Sequence, residues 1–206
     1  MNIFRHDDSF RGKGFPVIAG IDEAGRGPIA GPVVAAAVIL PPSLRIDRLR
    51  DSKKVPERER AFLFWEILVS AIDIGVGIID NQEIDRINIL QAARTAMKHA
   101  VEDLTSAPDA LIVDAVTVPG TTIKQFPIIK ADAKSAAVAA ASVVAKYVRD
   151  MMMFHFDGMY PQYNFKKHKG YCTREHMDII ALHGPCPIHR KSFRQVMTTK
   201  LPFPLS

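Results

Sequence analysis

Apolar and polar residues fall in blocks along this chain, and the period of the pattern changes from block to block. Residues 15–22 open on the run Phe15-Pro16-Val17-Ile18-Ala19 and end on Asp22, and residues 32–40 are apolar almost throughout. Both have the length of a buried strand. Gly25, Gly27, Pro28 and Gly31 make the connection between them tight, so an antiparallel pair is predicted. Pro41-Pro42 ends the second strand. A helix is predicted from near Pro56, a good first-turn residue, with Phe62, Trp65, Leu68 and Val69 at helical spacing as its apolar stripe. Residues 71–79 alternate and stop at Asp80-Asn81, which predicts a third strand. Residues 84–104 read as one helix with Ile87, Leu90, Ala93, Met97 and Val101 on one face. A short apolar strand, 110–113, ends at Asp114, and another, 126–130, ends just before Asp132. Residues 135–153 form a long alanine-rich helix whose small side chains permit close packing against a sheet. Shorter helices are expected near 173–182 and 193–200.

This order predicts an α/β domain built on a mixed sheet. No internal repeat or low-complexity linker interrupts it. The expected organisation is an N-terminal tail over residues 1–15, a core over 16–158, and a helical C-terminal segment over 159–206.

Composition narrows the function classes. A chain of 206 residues with 48% hydrophobic and 24% charged residues is long enough for one substantial globular domain. No apolar run approaches the roughly 20 residues of a membrane span, and the polar N-terminus lacks the core of a secretory signal. Two cysteines, Cys172 and Cys186, are too few for a disulfide scaffold, so a cytoplasmic setting is expected. The net charge of +5 tilts the expected partner toward a polyanion. Its distribution adds weight: Lys166, Lys167, Lys169, Arg174, Arg190, Lys191 and Arg194 are interleaved with Tyr160, Tyr163, Phe165, Tyr171 and Phe193. Cations can neutralise phosphates and aromatic faces can stack on sugars or bases.

Asp22, Asp114 and Asp132 each follow an apolar run, at or just past a predicted strand end. Open α/β sheets place their sites at strand ends. If the three strands are neighbours, these acids converge with Glu23, and carboxylates so close repel unless cations intervene. An oxygen-only cluster suits Mg²⁺ or Mn²⁺. Two such ions roughly 3.5–4 Å apart can activate water and stabilise a leaving oxygen in phosphodiester hydrolysis. Each acid taken singly is more often an ordinary turn residue or helix cap, and it is their conjunction that points to a metal site.

The stretch GIDEAGRGPIAGPV, residues 20–33, resembles the signature of prokaryotic ribonuclease HII, the type 2 ribonuclease H. The similarity continues in DSKK at 51–54, EIDRINIL at 83–90, IVDA at 112–115, KADAKSAAVAAASVVAKYVRD at 130–150 and YPQYNFKKHKGYCTREH at 160–176. It covers about residues 16–196. The resemblance implies the ribonuclease H-like fold, a five-stranded mixed sheet flanked by helices with a helical C-terminal, substrate-binding portion. It implies a monomer that hydrolyses RNA in RNA–DNA hybrids and cuts 5′ to single ribonucleotides in duplex DNA, leaving 3′-hydroxyl and 5′-phosphate ends. The implied metal ligands and catalytic acids are Asp22, Glu23, Asp114 and Asp132. The implied readers of the ribose 2′-hydroxyl are Gly25, Arg26, Gly27 and Tyr171, with Lys53, Lys54, Lys166, Lys167 and Lys169 on backbone phosphates. Two positions depart from the family pattern. Ala115 follows the third acid and Ala131 precedes the fourth, where the family favours glycine.

Other signals carry less. Cys172, His176, His183, Cys186 and His189 have the composition of a zinc site but the spacing of no standard finger. His168 is expected to be solvated or to touch substrate. Met151-Met152-Met153 reads as helix core. GRGPIAG matches neither a P-loop nor a dinucleotide fingerprint. A resolvase-type nuclease would share the acids without the ribose reader, and a non-catalytic binding module would not need all four acids.

Overall fold

The computed structural model describes residues 3–50, 52 and 55–198. Five strands form one sheet in the order β3-β2-β1-β4-β5. Strand β1 (Ile18–Ala24) pairs antiparallel with β2 (Val33–Ile39), and β2 pairs antiparallel with β3 (Asp73–Ile79). On its other side β1 runs parallel to β4 (Ala110–Asp114), and β4 runs parallel to β5 (Lys124–Ile128). The ribonuclease H-like mixed sheet expected from the sequence is therefore present. Strand β5 begins and ends two residues earlier than expected. Its Pro127 is tolerated because β5 lies at the sheet edge.

Each face of the sheet has its own core. On one face Ala19, Ile21, Val33, Ala35, Leu111 and Val113 pack against Ala92, Ala96, Met97 and Ala100. Those four belong to helix α4 (Ile89–Glu102), which follows α3 (Asn81–Ile87). On the other face Val34, Ala36 and Val38 pack against Ala136, Ala139, Ala140 and Val143. These belong to α5 (Ala136–Met159), with α2 (Glu57–Ser70) outside it. Contact between α5 and β1 is very close at Gly20. A Cβ built there would lie 2.1 Å from the carbonyl carbon of Ala137, so only glycine admits the helix at this distance.

Four expectations change. The helix expected over 84–104 is two helices, because Asn88 sits at φ 70° and breaks the run. Its side-chain oxygen then accepts hydrogen bonds from Leu90 N at 3.0 Å and Gln91 N at 3.1 Å, capping α4. The apolar stripe read at helical spacing on α2 faces outward: Phe62, Trp65, Leu68 and Val69 are exposed, while Arg60, Leu63 and Ile67 point inward. This helix carries large apolar residues on both sides, so periodicity alone could not choose its face. The segment read as an N-terminal tail contains helix α1 (Ile3–Arg11). Its buried Asp7 accepts a hydrogen bond from Ala137 N at 2.9 Å, in the first turn of α5, where a helix offers unpaired N–H groups. Helix α5 itself runs six residues past its expected end, to Met159.

The C-terminal helices α6 (Phe165–His168), α7 (Arg174–His183) and α8 (Arg194–Met197) gather round a third core. Ile29, Ala30 and Met153 pack there with Tyr163, Phe165, Ile180 and Ile188. The connection between β1 and β2 is thus built into the C-terminal segment. Thr199 and Lys200, the end of the last expected helix, lie outside the described residues. Among the described residues no helix is long and apolar enough to cross a membrane.

Replacing Gly20 by alanine drives a methyl group into the α5 backbone, and the variant is expected to lose about 3 kcal/mol of stability. Urea unfolding followed by circular dichroism measures this. A loss below about 0.5 kcal/mol would contradict the packing described.

Candidate active site

Strand register brings the acids together. Ile21 lies opposite Val113 in the parallel β1–β4 pair, so the next residue of each strand, Asp22 and Asp114, falls at the same level on the same face. That face is the one covered by α5. Asp22 is buried, and burial pushes its carboxyl well above the usual carboxylate range, with the charges of Glu23 and Asp114 pushing the same way. Two hydrogen bonds oppose this, one from the backbone N–H of Glu23 at 2.7 Å and one from the Ser142 side chain. Ser142 in turn shares a hydrogen bond of 2.6 Å with Ser52. Asp114 accepts from Ala131 N at 2.9 Å, which ties β4 to the single 3-10 turn Ala131–Ala133 carrying the buried Asp132. Glu23 pairs with Arg26 at 3.3 Å.

Three of the four predicted acids are thus in electrostatic contact, and the fourth sits on the turn bonded to Asp114. Neither Asp22 nor Asp114 forms an ion pair among the described residues, and the charges of Glu23 and Asp114 both act on the buried Asp22. All its donors are carboxylate oxygens, the set preferred by hard divalent ions, and the residues fit such an ion by chemistry and by charge. No three His, Cys, Asp or Glu side chains among the described residues are drawn round a common point.

The loop after β1 carries the predicted ribose readers. Gly25 has φ 103°, and a Cβ there would stand 2.3 Å from Arg149 Nε. The Tyr171 ring lies beside Gly27, its Cε1 3.7 Å from where a Cβ would stand, and is 43% exposed. The two features that the family resemblance paired are therefore adjacent. The lysines are more dispersed. Lys167 pairs with Glu175 at 2.6 Å, Lys166 with Asp157 at 3.7 Å, and Lys169 with Glu57 at 3.2 Å. Lys166 and Lys167 are exposed, but the Lys169 side chain is largely buried. Lys53 and Lys54 lie outside the described residues.

Two arginines go beyond what the sequence revealed. Arg149 and Arg190 are fully buried, and both donate to backbone carbonyls of the loop between β1 and β2. Arg190 stands in the sequence among the basic residues of the C-terminal segment, yet it is buried. Burial lowers Arg149 to about 10 and Arg190 to about 9, and the charge of Arg149 adds to the shift at Arg190.

His168 is likewise buried rather than solvated: its Nε2 bonds the Tyr163 carbonyl at 2.7 Å and its ring stacks on His176 at 4.1 Å. From there a chain of contacts runs through His176 Nε2 to His189 Nε2 at 3.0 Å, while His176 Nδ1 meets the Tyr171 carbonyl at 2.9 Å. Cys186 N donates to His189 Nδ1 at 2.9 Å. The hydrogen bonds just named are all made by neutral rings, in which His176 Nε2 accepts from His189. Burial holds both His176 and His189 at about 4, below their ordinary value. These residues support the backbone of Tyr171.

Comparison with known proteins places this fold. The ribonuclease H2 of Pyrococcus horikoshii OT3 superposes with a TM-score of 0.74 at 26% identity, covering 89% of this chain and 97% of that one. A ribonuclease HIII solved with Mn²⁺, Bst-RNase HIII, shares the fold at 18% identity and a TM-score of 0.66, over 88% of this chain and 68% of its own. The architecture is that of a ribonuclease H, an endoribonuclease. The family model for ribonuclease HII matches residues 19–196. A ribonuclease HII from Clostridioides difficile strain 630 is 51% identical over 193 residues, 94% of this chain and 75% of the relative. The chain belongs to the ribonuclease HII family.

Two predictions arise here. The folded values of His176 and His189 lie below the unfolded value of about 6.5. Their contribution to stability is therefore complete above about pH 6.5 and is lost as pH falls toward 4. The melting temperature is expected to drop across that window, and the double variant His176→Gln, His189→Gln to show a shallower drop; parallel curves would refute the assignment. Ala115, next to Asp114, is held at φ 58°, where an L side chain is strained. Ala115→Gly is expected to raise stability by about 1 kcal/mol while leaving turnover within about twofold. A destabilised variant would show that no strain is stored there.

Proposed function

We propose that this ribonuclease H cuts the RNA strand of RNA–DNA hybrids and cuts 5′ to single ribonucleotides embedded in duplex DNA, leaving 3′-hydroxyl and 5′-phosphate ends. The observation that carries the reading is the β1–β4 register, which sets Asp22 and Asp114 side by side at the sheet end from which the Gly25–Gly27 loop departs. Acids for phosphodiester chemistry and a loop suited to a sugar then belong to one surface.

Asp22, Glu23, Asp114 and Asp132 would hold two Mg²⁺ or Mn²⁺ ions, in keeping with the Mn²⁺ of the ribonuclease HIII relative. When bound, such ions supply charge compensation and Lewis acidity to the scissile phosphate and the attacking water. The protein's own part is positional. Burial and the Ser142 hydrogen bond hold Asp22 in one orientation. The Ala131–Asp114 hydrogen bond fixes Asp132 relative to Asp114. Gly25, Arg26 and Gly27 approach the ribose, whose 2′-hydroxyl separates RNA from DNA. Tyr171, half-exposed beside Gly27, lies against the neighbouring sugar. Lys53, Lys54, Lys166 and Lys167 hold phosphates, contacts that give affinity without sequence preference. Lys169, turned toward Glu57, serves the strand path indirectly by fixing the segment before Tyr171. Residues 159–206 are then the substrate-binding segment of a monomeric, cytoplasmic enzyme.

Two end-labelled duplexes test this, one all-DNA and one with a single ribonucleotide, each with Mg²⁺, Mn²⁺ or EDTA. Cutting 5′ to the ribonucleotide is expected with either metal and with neither duplex in EDTA. Asp114→Asn should reduce turnover about a hundredfold or more, the scale of a lost metal ligand. Equal cutting of both duplexes would replace the proposal with a sugar-blind nuclease.

A further inference from the structure

All five N–H groups of Arg190 find acceptors, and all five acceptors are carbonyls of one loop. Nε donates to Gly31 O at 2.9 Å, Nη1 to Pro28 O at 2.6 Å and Arg26 O at 3.2 Å, and Nη2 to Gly25 O at 2.6 Å and Pro32 O at 3.1 Å. Arg149 lies beneath the same loop. It donates from Nε to Pro32 O at 2.9 Å and from Nη2 to Ala30 O at 3.1 Å, then reaches out with Nη1 to Lys169 O at 3.0 Å. Its guanidinium carbon stands 6.0 Å from the centre of the Tyr171 ring.

Neither arginine forms an ion pair with a carboxylate among the described residues. A buried guanidinium without a counter-ion is costly unless its donors find acceptors; the loop takes all five N–H groups of Arg190, and the loop and Lys169 O take three hydrogen bonds from Arg149. The relation works in both directions. With the carbonyls of Gly25, Pro28, Ala30, Gly31 and Pro32 drawn inward, the loop cannot rotate those peptides without stranding a buried charge. Arg149 also bridges the two halves of the site, joining the loop to the segment that carries Tyr171. Backbone bonds from Ile29 N to Gly170 O and from Arg190 N to Ile29 O, both 2.9 Å, close the same seam. A lysine could not substitute: its three donors leave one atom and cannot span carbonyls spread over eight residues.

We propose that Arg149 and Arg190 are specificity-determining positioning residues, which hold the 25–32 loop and Tyr171 in the one arrangement that recognises a ribose. The inference rests on the reading of that loop as the ribose contact. It assigns ribose selection to residues that touch no substrate and leaves general duplex affinity to the surface cations.

The test compares the wild type with Arg190→Lys, which keeps the charge and loses the fork. Steady-state kinetics in Mg²⁺ give kcat and KM for the single-ribonucleotide duplex, and an all-DNA duplex as competitor gives Ki. The ratio of Ki to KM measures preference for the ribose. Arg190→Lys is expected to cut that ratio about tenfold, the scale of one charge-assisted hydrogen bond, with Ki unchanged within about twofold. Damage to folding alone would lower kcat through the active fraction and leave the ratio intact, and an intact ratio overturns the proposal. If Arg190→Lys does not fold, Arg149→Lys supplies the same comparison. A wild type whose ratio is near one would instead refute the ribose-reading loop, and the proposal with it.

Discussion

The close approach of α5 to β1 at Gly20 is the constraint on which the rest of this molecule depends. The helix lies near enough to the sheet that one side chain beyond hydrogen would collide with its backbone. Because the approach is so tight, successive turns of α5 meet successive parts of the site. Ser142 reaches Asp22, Arg149 reaches the loop after β1, and Met153 enters the C-terminal core. Its alanines are therefore a geometric requirement: larger side chains would lift the helix and withdraw Ser142 and Arg149 together. Sheet, acids and loop are three readings of one distance.

Charge is arranged in layers about that helix. Asp22, Glu23 and Asp114 gather negative charge at the strand ends, where burial and mutual repulsion make a cation favourable. A few residues along, two guanidiniums are sealed beneath the loop with carbonyls as their partners. The loop between them starts at the acidic pole, where Arg26 pairs with Glu23, and ends over the cationic one.

Much of this was legible in the sequence, and the reasons differ by element. Most strands showed as short apolar runs ended by an acid or by proline, because a buried strand has little freedom of composition. Asp22, Asp114 and Asp132 stood out because each follows an apolar run, and Glu23 because it adjoins Asp22. Helix α2 misled, since apolar residues on both sides leave its orientation to tertiary packing. Asn88 was missed because one left-handed residue leaves no trace in hydrophobic periodicity. Arg149 and Arg190 were hidden for a related reason: an arginine bonded to carbonyls has no acidic partner to advertise it. His168 and His176 were obscured by a stacked pairing that depends on a fold no local pattern encodes.

The cations beneath the loop also separate two functions by their response to acidity. Even after burial, Arg190 gives up its proton only at about 9 and Arg149 at about 10. Near neutrality the support of the loop is thus a permanent charge, insensitive to proton concentration. Asp22 is the opposite, its carboxyl pushed upward by burial and then by the charges of Glu23 and Asp114. Geometry and charge in one small site are in this way set by groups that do not titrate together, and the shape of the loop persists while Asp22 exchanges its proton.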